Sequence, residues 1–432
     1  MNDIDILFVH NNFPAQFRHI AKKFASYPNI RVKAIGMSAA PGMPGVELQK
    51  YNFSGRELSS VHAFARRFEI EARRGEQVIY AANALKVSGF HPKLIYVHPG
   101  WGESLPLRSL FPGATICSYS EFYYWPFGAD VGFDKEFPSF GVDGEVRISL
   151  RNAATLLSLV DADLSIAPTH WQRTVFPKEF HPKIHVVHDG LDVARLTTLG
   201  AQGITQINGE AVRPGDEIVT FVARSLEPYR GFHIFMRALP AILRARPKAR
   251  ICIVGQDNIS YGIKPEAHAN WRQAMVAEVG AELDLSRVHF LGHLPYEKYL
   301  RLLKVSSAHV YLTYPFVLSW SMLEAMALGC LIIGSDTPPV TEIIQDGVNG
   351  VLVPFFGIDE IAAAVVEALG NPQRYAQMRS AAAETVRKHY DFESVIWPAH
   401  VGLLQEYVLS NTVLDTIGLL PPDEAQRAGG MG

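Results

Sequence analysis

The chain predicts a parallel α/β protein built as two doubly wound halves. Three observations carry this. Apolar runs of strand length alternate with helical patterns from one end to the other. The strand runs are continuously apolar rather than alternating, as in parallel sheets covered by helices on both faces. The rhythm is interrupted at Asp192–Asp216, a stretch rich in Gly, Thr, Gln and Asn with a Pro-Gly turn at Pro214-Gly215.

The first set of strands is expected at Ile4–Val9, Arg31–Ile35, Leu94–Val97, Ala114–Cys117, Leu164–Ile166 and Ile184–Val187. The second is expected at Glu217–Ala223, Arg250–Val254, Val288–Leu291, Ala308–Leu312, Leu331–Ile333 and Gly350–Val353. Helical spacing fills Ala15–Ala25, Leu58–Ser88, Ile148–Val160, Phe232–Ala245 and Ile358–Leu369. The boundaries follow: a first domain over residues 1–190, a linker over 191–216, a second domain over 217–394, a terminal helix over 395–410 and a mobile tail over 411–432. Two such halves would face each other across a cleft lined by strand C-terminal ends, where open parallel sheets bind ligands.

Composition narrows the function. With 432 residues and 48% apolar content the chain can build more than one core. A net charge of −3 gives no reason to expect a nucleic-acid partner. No apolar run approaches the roughly 18 residues of a membrane span. The acidic start MNDIDILFVHNN reads as a first strand rather than a signal peptide. Cys117, Cys252 and Cys330 have no metal spacing and read as buried free thiols, which points to a reducing, cytoplasmic setting. No G-x-G-x-x-G and no Walker loop occurs, against a dinucleotide oxidoreductase or a P-loop enzyme.

The segment from Tyr311 to Ser335 is the richest in chemistry. It reads strand, irregular turn, compact helix and strand. Leu323, Met326 and Ala327 share a buried face, which leaves Glu324 off it. The backbone amides of Ser319, Trp320 and Ser321 open the helix, where a phosphate binds without a lysine. An anion site and a hydroxyl acceptor thus stand a few residues apart, as a nucleotide's diphosphate and ribose require. After the first strand of the second half, Arg224 and Arg230 flank a Pro-containing loop, and arginine suits bidentate phosphate contact.

In the first half three loops after strands stand out. His10–Arg18 opens a helix and carries Asn12, Phe13 and Gln16, so its amides suit an anion or sugar hydroxyls; a Pro-started helix with an Asn cap explains it equally well. His98-Pro99-Gly100-Trp101-Gly102-Glu103 combines ionisable groups, an indole and flexible glycines. Ser118–Pro126 holds Glu121 and four successive aromatics, suited either to stacking on a sugar or to ordinary packing. Asp161-Ala162-Asp163 resembles a metal-binding pair but sits where capping is ordinary, and His188-Asp189-Gly190 looks like a turn.

These residues resemble a known family. Arg224, Arg230-Gly231, Val254-Gly255, Phe290-Leu291-Gly292, Leu323–Gly329 and Glu342–Gly350 are similar in order and spacing to the retaining glycosyltransferases of family 4, which have the GT-B fold. The first half resembles a bacterial subgroup through Asn12-Phe13-Pro14, the His98–Glu103 and Glu121–Trp125 loops, Gly132-Phe133-Asp134 and Pro168–Gln172. The resemblance implies that Glu324 holds ribose hydroxyls, that Arg224 and Arg230 hold phosphate, that Ser319, Trp320 and Ser321 contact diphosphate and donor sugar, and that Gly292, His293 and Leu294 lie near the base. The family's second glutamate, eight residues before the first, is Phe316 here. Where the family often has a histidine near the sugar this chain has Glu121, with His98 after the preceding strand. Asn12 and Phe13 are counted with the donor-binding residues.

The function so implied is metal-independent, retaining transfer of a hexose from a UDP- or GDP-linked sugar to a saccharide or glycolipid acceptor, in cell-surface polysaccharide or glycolipid synthesis, with no cofactor. Arg224, Arg230, His98 and Glu121 are its candidate catalytic residues. A lipid-linked acceptor would bring peripheral contact with the inner face of a membrane. Phe316 keeps two alternatives open: a nucleotide-sugar-binding protein without turnover, and a GT-B-fold epimerase.

Overall fold

The computed structural model describes residues 4–53, 58–137, 141–213 and 215–407. The expected tail over 411–432 lies outside them, as does Pro214. The chain divides into two compact units, one of Met1–Gly190 with Phe392–Gly432 and one of Leu191–Asp391.

The first unit is built on a seven-stranded parallel sheet: β1 (Ile4–Val9), β2 (Ile30–Met37), β3 (Glu47–Tyr51), β4 (Leu94–Val97), β5 (Thr115–Tyr119), β6 (Leu164–Ala167) and β7 (Ile184–Val186). Their order across the sheet is β3-β2-β1-β4-β5-β6-β7. Leu7, Phe8 and Val9 on the central strand are fully buried, as a strand covered on both faces requires. The edge strand β3, Glu-Leu-Gln-Lys-Tyr, was not anticipated, because an edge needs only half its side chains apolar. Lys33 on β2 pairs with Glu47 across it at 3.0 Å.

The helix expected over Ile148–Val160 is two, Gly141–Leu150 and Ala153–Asp161. The break lies at Asn152, whose side chain accepts from Tyr124 N–H and donates to Tyr124 C=O, both at 2.8 Å. A side-chain amide that serves a distant strand-like segment competes with the helix ladder. A single π turn at Phe392–Ile396 leads into the last described helix, Trp397–Tyr407. Trp397, Val401 and Leu404 enter the core around Phe8 and Phe24, so this terminal segment belongs to the first unit.

Residues 191–216 form no bare linker. After Leu191 they fold into a helix, Val193–Gly200, capped by the Asp192 carboxylate on Arg195 N–H at 3.0 Å, and a hairpin, β8 (Gln206–Ile207) and β9 (Glu210–Ala211). Leu191 and Leu196 pack with Leu300, Leu303 and Met326. The polar residues that suggested a linker serve turns, while three spaced apolar residues (Leu191, Leu196 and Ile207) carry the burial.

The second unit's sheet contains β10 (Ile218–Ser225), β11 (Arg250–Gln256), β12 (Val288–Gly292), β13 (Ala308–Tyr311), β14 (Ile332–Ser335) and β15 (Val351–Val353), ordered β12-β11-β10-β13-β14-β15 and parallel throughout. Each sheet therefore reverses its winding beside its first strand, at β1/β4 and at β10/β13, where ligands of doubly wound sheets bind.

One buried histidine makes the pH dependence of stability testable. His309 on β13 is fully buried, with Nδ1 2.8 Å from the Thr220 hydroxyl. Burial pushes its pKa from the ordinary 6.5 down to about 3. The unfolded chain therefore binds a proton below pH 6.5 that the fold refuses, and stability falls as pH drops from 6.5 toward 3. By pH 5 this group alone costs about 2 kcal/mol. His309→Asn removes it, so the variant should lose less stability than wild type between pH 7 and pH 5 in urea unfolding. Equal losses would mean that His309 is charged in the fold.

Candidate functional site

In the second unit the loops after β10, β12 and β13 share one edge of the sheet. Arg230 ends the loop after β10. It is buried, and Gly231 follows it at φ +67°, where a Cβ would stand 2.4 Å from the Leu312 Cβ. The Arg230 Nη1 donates to Thr313 Oγ1 at 2.8 Å and to the Val317 carbonyl at 2.9 Å, with the Tyr311 hydroxyl at 3.4 Å. Its Nε and Nη2 make no hydrogen bond among the described residues and neither is a sealed atom. The guanidinium is thus anchored by one corner and presents its two-nitrogen edge, the geometry that grips an oxyanion. Arg224 is exposed and unpartnered among the described residues.

Glu324 lies on the helix Trp320–Ala327 and is buried. Its Oε1 accepts from the Tyr296 hydroxyl and its Oε2 from the Tyr299 hydroxyl, each at 2.7 Å. These tyrosines sit one helical turn apart on Tyr296–Lys304, just past the end of β12. Tyr299 is buried and Tyr296 is 41% exposed, so one side of the carboxylate is sealed and the other reaches the surface. Gly292 and Leu294 are half-buried and His293 is exposed on the approach to this helix.

Three expectations for this unit are corrected. Ser319 N–H donates to the Tyr311 hydroxyl at 2.8 Å and Ser321 N–H to Ser319 Oγ at 3.4 Å, so these two amides at the start of the helix are occupied from within the unit. Trp320 opens the helix half-buried. Phe316 is 2% exposed, with Tyr261 and Tyr229 at centroid distances of 4.8 and 5.5 Å, so it offers no surface to a donor. Instead its ring lies 5.9 Å from the Arg230 guanidinium carbon. The loop after β11 is held by Glu227, a buried carboxylate that accepts from the amides of Ser260, Tyr261 and Gly262, the last at 2.9 Å.

In the first unit the loops after β1, β4 and β5 bring four side chains into one chain of hydrogen bonds, and the segment after β6 adds a fifth residue that holds the backbone. His10 Nε2 lies 2.9 Å from Gln16 Oε1, Gln16 Nε2 donates to Glu121 Oε1 at 2.8 Å, and His98 Nε2 lies 3.3 Å from Glu121 Oε2. Gln172, fully buried, donates to the Glu121 backbone carbonyl at 2.7 Å. His98 stacks on Trp101 at 4.5 Å and is buried, whereas 29% of the Glu121 side chain is exposed. Burial pushes the Glu121 carboxyl up, but the hydrogen bond from the neighbouring His98 and the one from Gln16 outweigh this and hold it below its ordinary value. Burial, with His98 nearby, drives His10 down to about 3.

Of the remaining first-unit residues, Asn12 is exposed, but Phe13 is a core residue 6.2 Å from the Phe8 ring and cannot touch a donor. Glu103 is fully buried under the Tyr51 hydroxyl at 2.7 Å. Phe122 and Tyr123 pack inward and Trp125 donates to the Val175 carbonyl at 2.6 Å, so the aromatic run is largely packing. Asp163 accepts from Arg108 at 2.6 Å and from Ile116 N–H at 2.8 Å, which ties the turn before β6 to β5.

Comparison with known proteins decides the family. A model of the glycosyl transferase family 4 group matches residues 28–196 and a model of glycosyl transferases group 1 matches residues 204–385. This chain belongs to the GT4-like, group 1 glycosyltransferase family. The D-inositol 3-phosphate glycosyltransferase of Nocardia farcinica is 28% identical over 199 residues, 45% of this chain and 42% of that one. The chain thus spans less than half the length of that curated relative. Sucrose-phosphate synthase from Thermosynechococcus elongatus has a TM-score of 0.67 at 15% identity, covering 94% of this chain and 99% of its own. Anabaena HepE, solved with UDP-glucose, has a TM-score of 0.60 at 16% identity, covering 93% and 99%. At these identities the likeness establishes the GT-B fold, two Rossmann-like domains.

In this family member several site residues escape sequence reasoning. Tyr296 and Tyr299 meet Glu324 only through the packing of two helices. Gln16 and His10 join His98 and Glu121 only because β1 lies beside β4 and β4 beside β5. Asp189, read as part of a turn, accepts the Tyr119 hydroxyl, and the Tyr119 ring lies 5.5 Å from His98. The usable signal was position: each of these loops directly follows a parallel strand. Among the described residues no helix is long and apolar enough to cross a membrane.

Proposed function

We propose that the chain is a retaining, metal-independent hexosyltransferase that takes a nucleotide-diphosphate sugar as donor and a saccharide or lipid-linked molecule as acceptor. The single observation that carries the donor half is the anchored Arg230 with its Nε/Nη2 edge unclaimed. With exposed Arg224 it supplies two positive charges, the one on Arg230 fixed in place, for a diphosphate that grows more negative as it leaves. Preorganised charge of this kind is the main way a protein lowers such a barrier, and two guanidinium groups can fill the charge-neutralising role that a metal ion plays elsewhere. Glu324 serves the ribose, with Tyr296 and Tyr299 fixing its orientation. Retention is what membership of the family implies. HepE was solved with UDP-glucose, which makes UDP sugars the first donors to try.

Thermal-shift screening against UDP-, GDP-, ADP- and TDP-sugars tests the reading, because a ligand of the native state raises its melting temperature. We expect one nucleotide class to stabilise the protein; no shift with any of them counts against it. Glu324→Gln keeps the shape but loses the charge, so the dissociation constant for the nucleotide should rise about tenfold in titration calorimetry. An unchanged constant would remove Glu324 from the site. The buried Phe316 favours a second reading, binding without turnover. Donor bound tightly yet never consumed with any acceptor would select it.

A further inference from the structure

We infer that Glu121 is the residue of the first unit that receives a saccharide hydroxyl, and that His98, Gln16 and His10 are positioning residues that aim its carboxylate. This rests on the transferase reading and deepens it by assigning the sugar-hydroxyl contact of the first unit.

The hydrogen-bond directions carry the inference. Gly100 N–H donates to His98 Nδ1 at 3.1 Å and Asn12 N–H donates to His10 Nδ1 at 2.9 Å. A ring nitrogen that accepts carries no proton, so each imidazole bears its hydrogen on Nε2. His98 then donates to Glu121 and His10 to Gln16, whose amide donates onward to Glu121. Every polar hydrogen in the chain runs toward one carboxylate. Neither nitrogen of His98 is left to accept a substrate proton, and its ring is buried against Trp101. Glu121 is the only member that is both charged and reachable. Each of its oxygens uses one acceptor position inward, and a carboxylate offers about four. The braces, with Gln172 on its backbone, hold the remaining positions in a fixed direction. A donor-rich, uncharged ligand fits them, and a sugar or polyol hydroxyl is that group.

The same directions supply the test. In the double substitution Gln16→Glu with Glu121→Gln every hydrogen bond can still form. His10 donates to the new carboxylate at position 16, the new amide at position 121 donates to that carboxylate, and its oxygen accepts from His98. Only the negative charge moves from position 121 to position 16. The full chain is examined with UDP by calorimetry and with methyl α-glucopyranoside and methyl α-mannopyranoside by saturation-transfer NMR. The double variant should melt like wild type and bind UDP like wild type, yet bind the glycoside at least about tenfold more weakly. Unchanged glycoside binding would overturn the inference, as would a wild-type protein that binds UDP but neither glycoside. If wild type fails to bind UDP, the transferase reading falls while the glycoside arm still reports on Glu121. Should the double variant unfold, two single variants decide. Glu121→Ala should lose the glycoside signal, and Gln16→Ala, which keeps the carboxylate, should retain it in weakened form. Equal behaviour of the two would overturn the assignment.

Discussion

Arg230→Ala is expected to lower transfer by at least a hundredfold, about 3 kcal/mol, with a matching fall in nucleotide affinity. The residue is fixed by Thr313 Oγ1 and the Val317 carbonyl through one nitrogen, which leaves the opposite edge rigid and available. The rings of Tyr261 and Phe316, 5.8 and 5.9 Å from its guanidinium carbon, steady it from the side. Truncation also strands the Val317 carbonyl and opens space among aromatics, so a drop in melting temperature should accompany the kinetic loss. Arg230→Lys separates the two effects. A lysine keeps the charge but cannot anchor at one corner while gripping at another, so it should restore much of the stability and little of the affinity. Near-normal turnover in the alanine variant would exclude Arg230 from the phosphate site.

Gly102→Ala is expected to be the most damaging small substitution in the first unit. Gly102 has φ +96°, and a Cβ there would stand 2.2 Å from the Glu71 carbonyl oxygen and 2.6 Å from its carbon. Those are backbone atoms of a helix, Arg66–Val87, and cannot swing aside. Left-handed strain and the forced separation together should cost about 3 kcal/mol or more, read as a lower urea midpoint. The displaced loop carries His98 and Trp101, so glycoside binding should fall with stability. Gly113→Ala is the control: no atom lies within 4 Å of its Cβ position and its φ is ordinary. A Gly102 variant as stable as that control would show that the loop is free to move.

The two sites differ in how far they can be read from residues in order. Arg224, Arg230 and Glu324 fall at recognisable distances from apolar strands, so their placement on loops and a helix after β10 and β13 is legible. What they touch is not. Phe316 stands at a donor-contact position in the family pattern yet turns inward, because Tyr229 and Tyr261 offer it more apolar contact than solvent does. The Ser321 amide is capped locally by the Ser319 hydroxyl, but the Ser319 amide is free in any isolated helix and only the Tyr311 hydroxyl, on β13, claims it. Phe13 follows the same logic, drawn into the core beside Phe8. Residues 191–216 look like a linker in composition, and only the partners of Leu191, Leu196 and Ile207 reveal a folded segment.

By itself the order of residues determined the α/β class, the two parallel sheets and the strand ends that carry chemistry. These depend on local periodicity, which each segment carries with it. Tertiary structure alone decided which side chains meet: Glu324 with two tyrosines, and Glu121 with Gln16, His98 and, through Gln16, His10. Hydrogen bonds between residues as far apart as Gln16 and Glu121 exist only once strand order has set β1, β4 and β5 side by side, and strand order is a property of the packed sheet rather than of any one strand.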